Sequence, residues 1–297
     1  MSRLIAVWGP TGAPGRTTVA INMASELAEQ GQNVLLIDAD SYGGAIAPML
    51  GLIDEAAGFA AACRLAELGA LTMAELERIS HSVPIGLGEL KVLSGIVKTE
   101  RWPELSAERV RKVLSLASEN FDTVVMDVGF NLETDEEISS DLFAPRRNAS
   151  TLTVLKHADY IIEVASADAL GVARFIRAHD VLVEEFPESL RVIVLNKVRS
   201  GLDARGSSQA SATLSRFAGL HNVVELPEDG KAINASFASG KPLNMSAKNS
   251  KLRKQLQKLA GVLSPVEQAT AEKQNRFVRL RKPVSASTQS ELHQDSA

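Results

Sequence analysis

The sequence predicts an α/β protein: a doubly wound, mostly parallel β-sheet with helices on both faces. Three observations predict it. Short apolar runs rich in Val and Ile recur along the chain without strict polar alternation, as in strands covered on both faces. Helical stretches with apolar residues three and four apart separate those runs. Aromatic residues make up only 4% of the 297 residues, so the core has to be built from Ala, Val, Ile and Leu. Strand, helix and strand repeated this often implies right-handed crossovers in one sheet.

Taken in order, "RLIAVW" (3–8) is the first strand and runs into Gly9-Pro10. A helix over 17–30 closes with Gly31, a natural C-cap. "NVLLIDAD" (33–40) is the second strand. Residues 51–89 read as a mostly helical insertion after it, and "LKVLSG" (90–95) as a further strand. A helix over 106–119 leads to "FDTVVMDV" (121–128), and "DYIIEVAS" (159–166) follows. Helices over 169–186 and 207–217 flank "LRVIVLNK" (190–197), and "NVVELPED" (222–229) is the last strand. "NSKLRKQLQKL" (249–259) sets Leu252, Leu256 and Leu259 on one helical face, as a packed final helix does. From residue 264 apolar periodicity fades, and 284–297 is polar. The expected organisation is one domain over 1–263 and a disordered basic and polar tail over 264–297.

The composition is ordinary for a globular protein, 45% hydrophobic and 23% charged. A chain of this length buries roughly three quarters of its unfolded surface. Cys63 is the one cysteine, so no internal disulfide forms and a reducing compartment is expected. It reads as a small buried hydrophobe. The first apolar run is too short for a signal peptide, and no run approaches the ~18 apolar residues of a membrane span. The expected location is cytoplasmic. Net charge is −4, unevenly spread. Residues 248–297 hold ten Lys and Arg against four Asp and Glu, a balance of +6, which leaves −10 on the rest. A basic tail of that kind suggests a partner of its own.

The residues that could carry chemistry gather at strand ends. "GPTGAPGRTT" (9–18) follows the first strand and opens a helix, the place of a phosphate cradle. Successive backbone N–H groups there form an anion nest, and the helix dipole adds to it. Gly12, Ala13, Pro14, Gly15, Arg16, Thr17 and Thr18 are the candidate phosphate-binding residues, with the Thr17 hydroxyl placed to ligate Mg²⁺. The match to G-x-x-x-x-G-K-S/T is imperfect. Its first glycine falls on Pro10, and Arg16 takes the lysine's place. An arginine fork binds phosphate but cannot imitate a compact ammonium. The other reading of Arg16 is an ion pair to Asp38 or Asp127 in an empty site. Asp38 and Asp40 end a buried strand, where ligands bind in open α/β sheets. Beside a phosphate loop they suggest Mg²⁺ and an attacking water; the plainer reading is two strand-end caps. Asp127 closes an apolar strand, the place of a carboxylate that holds Mg²⁺ in phosphate-loop enzymes.

Together "TGAPGRTT", "IDAD" and "VVMDVG" resemble the motifs of the MinD/ParA branch of phosphate-loop ATPases, those with a deviant Walker A loop. "VIVLNKV" (192–198) resembles the strand whose asparagine reads adenine, which points to Asn196. "ELPEDGKAINASFASGKPL" (225–243) is similar to the segment that packs beside the base, which points to Pro227 and Asp229. The resemblance covers residues 3–263. It implies ATP and Mg²⁺ as ligands, with Asp40, Asp38 and Arg16 as catalytic candidates and Thr17, Asp38 and Asp127 at the metal. It implies an ATP-dependent homodimer acting as a positioning protein at the septum, chromosome or pilus, with an unidentified protein partner. The family's signature lysine aligns with Thr11, so hydrolysis is expected to be slow or absent. Arg146 and Arg147 could supply replacement charge, or could begin a solvated helix capped by Asn148. "KQNRFVRLRK" (273–282) sets basic residues around Phe277, Val278 and Leu280. It suits an anionic membrane surface, DNA phosphates or a protein contact alike. A membrane contact would place the protein peripherally at the inner face. The competing reading is a non-catalytic scaffold that keeps the fold. No helix-turn-helix or zinc-ligand set supports a DNA reader, and Cys63 alone is insufficient for an iron–sulfur cluster.

Overall fold

The computed structural model describes residues 2–12, 14–52, 58–86, 88–134, 145–200 and 204–264. Strand β1 (Arg3–Trp8) leads into helix α1 (Arg16–Glu29), and β2 (Asn33–Ala39) follows. Next come α2 (Ile46–Met49), α3 (Gly58–Glu67) and α4 (Met73–Ile79). Strands β3 (His81–Ile85) and β4 (Gly88–Leu93) form a hairpin. A short 3₁₀ turn (Thr99–Glu104) precedes α5 (Ala107–Asn120) and β5 (Thr123–Val128). The second half alternates regularly through α6 (Ala149–His157), β6 (Tyr160–Ser166), α7 (Ala169–Glu185), β7 (Leu190–Val198), α8 (Ala204–Ala218) and β8 (Val223–Pro227). Helices α9 (Gly230–Ser239), α10 (Leu243–Ser246) and α11 (Lys251–Leu263) close the described chain. By internal contacts the chain forms two units, Met1–Ala260 and Gly261–Ala297. Of the second, residues 261–264 are described, the last turn of α11 and Ser264.

The eight strands lie in the order β3-β4-β2-β5-β1-β6-β7-β8, all parallel except β3. The predicted architecture is the one observed. β3 is a correction to the helical reading of 51–89: α3 and α4 form there, but an antiparallel edge strand follows them. Strand β1 sits between β5 and β6, so the chain crosses to one side of it early and to the other side late. The crevice at its carboxyl end is where open sheets of this kind receive ligands.

Side chains alternate across the strands. Leu4, Ala6 and Trp8 join Leu35, Met126, Phe59 and Leu114 in the main core, beneath α3, α5 and α6. Ile5, Val7, Leu36 and Val125 are as deeply buried on the opposite face, where α1 packs. A smaller cluster around Phe175, Leu195 and Leu214 joins α7 and α8 to β7.

Helix α1 is covered on its outer side as well, which explains its buried polar residues. Asn22 Oδ1 accepts from the Leu243 amide at 2.8 Å, and Asn244 Nδ2 donates to the Ser25 carbonyl at 3.3 Å. Arg253 of α11 donates from Nε to Glu26 Oε1 and from Nη2 to Glu29 Oε2, both at 2.8 Å. Burial pushes the Glu26 carboxyl above its ordinary range, and Arg253 pulls it back. Removing the arginine strands a buried carboxyl. Arg253→Ala is expected to cost about 3 kcal/mol of unfolding free energy at neutral pH. Urea denaturation measures this, and adding Glu26→Gln should recover part of the loss. A double variant no more stable than the single one would show that the pair is not the cause.

Candidate functional site

The site is built where β1, β2, β5 and β7 end. Strand β1 stops at Trp8 and α1 starts at Arg16, so residues 9–15 form the connecting loop. Gly12 and Gly15 take the left-handed backbone region, with φ of 109° and 101°. A Cβ on Gly15 would run into Asn196 Nδ2, so this position needs glycine for its angle and for its neighbour. Asn196 Nδ2 donates to the Pro14 carbonyl at 2.8 Å, and its Oδ1 accepts from the Lys197 amide at 2.9 Å. The asparagine therefore braces the loop as well as standing at the cavity wall. Ala13 lies outside the described residues.

Arg16 does not pair with Asp38 or Asp127. Its Nη1 donates to the Gly9 carbonyl at 2.9 Å and the Pro10 carbonyl at 3.3 Å, and its Nη2 meets Asp40 Oδ2 at 3.3 Å. The guanidinium thus ties the start of the loop to the end of β2. Asp40 is held from the other side by the Tyr42 amide, which donates to Oδ1 at 2.8 Å.

The three aspartates divide into two kinds. Asp40 lines the cavity, whereas Asp38 and Asp127 are buried beneath it, each 1% exposed. Asp38 and Asp127 face each other across β2 and β5 in register. Asp38 Oδ2 accepts from the Ile46 amide at 3.0 Å and Oδ1 from the Asp40 amide at 3.3 Å. It fits between Gly44 and Gly95, where a Cβ on either would press on the carboxyl group. Burial pushes its carboxyl up to about 7, with the nearby Asp40 charge adding to the rise. Burial and the Asp38 charge raise Asp127 as well. Thr17 Oγ1 donates to Asp127 Oδ2 at 2.6 Å, while Asp127 Oδ1 is buried without a hydrogen-bond partner.

The chemistry of that donor set fits Mg²⁺. A hydroxyl and an unpartnered carboxylate oxygen lie together at the foot of the loop. Among the described residues no three His, Cys, Asp or Glu side chains converge to hold an ion alone. Such an ion would need phosphate oxygens and water to complete its shell, as Mg²⁺ at nucleotide sites does.

Beyond the loop opens a cavity of about 530 Å³. Pro14, Gly15, Arg16, Thr17, Thr18 and Asp40 line it together with Asn196, Pro227 and Asp229, Asn196 lying directly against the loop. Asp229 Oδ1 accepts from the Ala232 amide at 3.0 Å and so caps α9. Ile233, Phe237 and Leu252 add an apolar wall; the sequence placed Leu252 on the packed face of the final helix but did not single out Ile233 or Phe237. Their signal was present as the apolar face of α9 and α11. The size and the mix of an apolar wall with convergent polar groups suit a small organic ligand.

Arg147 lies over the Tyr42 ring, 4.1 Å from its centroid, and donates to the Ser41 carbonyl at 3.4 Å. Asn148 occupies the N-cap position of α6, but its side chain does not cap the helix. Its Nδ2 donates to the Glu133 carbonyl and its Oδ1 accepts from Tyr42 Oη, both at 2.8 Å. These contacts join the loop after β2 to the loop after β5. The basic cluster over 273–282 lies outside the described residues. Among the described residues no helix is long and apolar enough to cross a membrane.

Residues 5–243 match the family described as the CobQ/CobB/MinD/ParA nucleotide binding domain. The septum site-determining protein MinD of Synechocystis sp. is 23% identical over 190 residues, 58% of this chain and 62% of that protein. An iron–sulfur cluster carrier protein of Aquifex aeolicus is 24% identical over 274 residues, 90% of this chain and 68% of that one. Among solved structures, a ParA family ATPase from Chlorobium tepidum superposes with a TM-score of 0.72 at 18% identity, covering 88% of this chain and 99% of that one. MinD from Pyrococcus horikoshii, complexed with Mg-ADP, gives 0.66 at 18% identity, covering 90% and 98%.

Proposed function

Because the chain belongs to the CobQ/CobB/MinD/ParA nucleotide-binding family, we propose that it binds ATP with Mg²⁺ and works as a nucleotide-dependent positioning protein. The observation that carries this reading is the cavity. A glycine-bearing loop at a helix N-terminus, Asp40, Asn196 and the Pro227–Asp229 turn converge on a space of about 530 Å³. The loop and Arg16 would hold the phosphates, and Thr17 and Asp127 the ion, which would neutralise phosphate charge. Asn196, Pro227 and Asp229 would flank the base. Asp40, facing the cavity, is the candidate to position an attacking water; Asp38, beneath it, holds the loop that presents Asp40. ATP would favour a homodimer. The septum, the chromosome and the pilus are the processes such a dimer would serve. The domain would extend to residue 263, and the basic tail over 264–297 would supply a peripheral contact with membrane, DNA or protein.

One observation favours the non-catalytic variant of this reading. Arg16 is committed to two loop carbonyls and to Asp40, so the group in the lysine's place is already neutralised. Thr11 supplies no charge either. Losing one such contact typically slows a reaction by about 10²–10³-fold. Binding with slow turnover is therefore the expected behaviour. Iron–sulfur carriage, the role in the name of the Aquifex relative, has no ligand set here. Cys63 is the one cysteine, is buried in the main core, and has its thiol pushed up to about 12 by burial.

Calorimetric titration with ATP and Mg²⁺ tests the proposal. Wild type should bind. Arg16→Ala and Asp127→Ala should each weaken binding by about tenfold or more, the worth of a charge-assisted contact. No heat from the wild type across the micromolar to millimolar range would sink the nucleotide reading.

A further inference from the structure

The charge balance at the loop is unfavourable to a triphosphate. Asp40 lines the cavity and Arg16 is already paired with it, while Asp38 and Asp127 lie buried beneath, their carboxyls raised toward the neutral form. A bound nucleotide adds more negative charge than Mg²⁺ removes. Besides Lys197 at the cavity wall, a cation of α7 lies against the loop. Arg174, on α7, places its guanidinium so close to Gly12 that a Cβ on that glycine would collide with Nη1. The same Cβ would lie 3.6 Å from Arg174 Cζ and 3.9 Å from Cδ. Arg174 lines a small cavity of about 100 Å³ between Pro10, Thr11, Gly12 and Pro14 of the loop and Ser166 and Asp168 just before α7.

The base of this side chain is fixed by its helix. Helix α7 is anchored by Val172, Phe175 and Leu182 in the core. His179 Nδ1 lies 2.7 Å from the buried Glu163 Oε2, and Asp168 Oδ1 caps the helix by accepting from the Gly171 amide at 2.8 Å. Arg174 itself makes no hydrogen bond or ion pair among the described residues. A half-buried guanidinium, unpaired and resting on a phosphate loop, has the chemistry to bind an anion held by that loop. Phosphate-loop enzymes draw on an arginine from outside the loop to neutralise the terminal phosphoryl group.

We propose that Arg174 binds the terminal phosphate of a nucleoside triphosphate seated in its own chain's loop, supplying the cation that Thr11 does not. The proposal rests on the nucleotide-binding reading and assigns the discrimination between triphosphate and diphosphate to one residue. Arg174 is half-buried and outside the core face of α7, so the fold should survive its loss.

The test is titration of wild type, Arg174→Ala and Arg174→Lys with ATP and with ADP, each with Mg²⁺, at protein concentrations where sedimentation shows a monomer. Arg174→Ala should bind ATP about tenfold or more weakly and ADP as wild type does. Arg174→Lys should fall between. Equal binding of both nucleotides by wild type and Arg174→Ala, or an equal loss of both, would overturn the assignment. So would an effect confined to dimeric protein, which would place the contact across two chains. Arg174→Gln serves if the alanine variant does not fold. A wild type that binds neither nucleotide would overturn the underlying reading instead.

Discussion

Gly15→Ala is expected to lose at least about a hundredfold in ATP affinity, because it disrupts the anion nest at its turning point. Two costs meet at this residue. Its φ of 101° is one that alanine adopts only with strain, worth about 1–2 kcal/mol. The new methyl group would also collide with Asn196 Nδ2, which braces the loop through the Pro14 carbonyl. Relief requires either the loop to unwind or Asn196 to withdraw. Both displace the backbone N–H groups that would face the phosphates. Calorimetry with ATP and Mg²⁺ reads the binding, and a thermal melt reads the fold. An alanine variant within threefold of wild type in affinity would show that the nest is not where phosphate binds.

The second large effect concerns Asp38 and pH. In the folded protein its carboxyl keeps its proton up to about 7, against 3.8 ordinarily. Between those values the folded state holds more protons than the unfolded state. Stability of the nucleotide-free protein therefore falls as pH rises through that window, and the loss is complete above about 7. A rise of about three units corresponds to about 4 kcal/mol. Asp38→Asn has no proton to release and keeps an oxygen for the Ile46 amide. The variant should match wild type near pH 4 and exceed it by about 4 kcal/mol at pH 8. Denaturant unfolding across pH 4–8 checks this. A variant less stable than wild type at pH 8 would show that the ionised carboxylate holds the loop.

Much of this was legible in the sequence, and the gaps have physical causes. The parallel strands announced themselves because both faces are buried, so each reads as a continuous apolar run. β3 did not: "HSVPI" contains a proline and alternates half-buried with exposed positions before Ile85, as an edge strand allows. The loop over 9–15 was legible because a strand-to-helix turn with glycines at its bends is set by neighbouring residues. The roles of Asp38 and Asp40 were not separable. A strand of period two would point both the same way, but β2 ends at Ala39 and the turn carries Asp40 into the cavity. Arg174 gave no sign at all. A charged residue on a helix looks like any solvated one until packing sets it on a glycine far away in sequence.

The wrapping of α1 bears on how the protein is made. Helix α1 is synthesised well before its cover, because Arg253 lies 227 residues after the glutamate it neutralises. Until that distant segment has been synthesised, Asn22, Ser25 and Glu26 have no cover. The cavity beside the loop is likewise incomplete until Leu252 has been made. Ribosome-bound intermediates that lack residues 243–253 should be soft at α1.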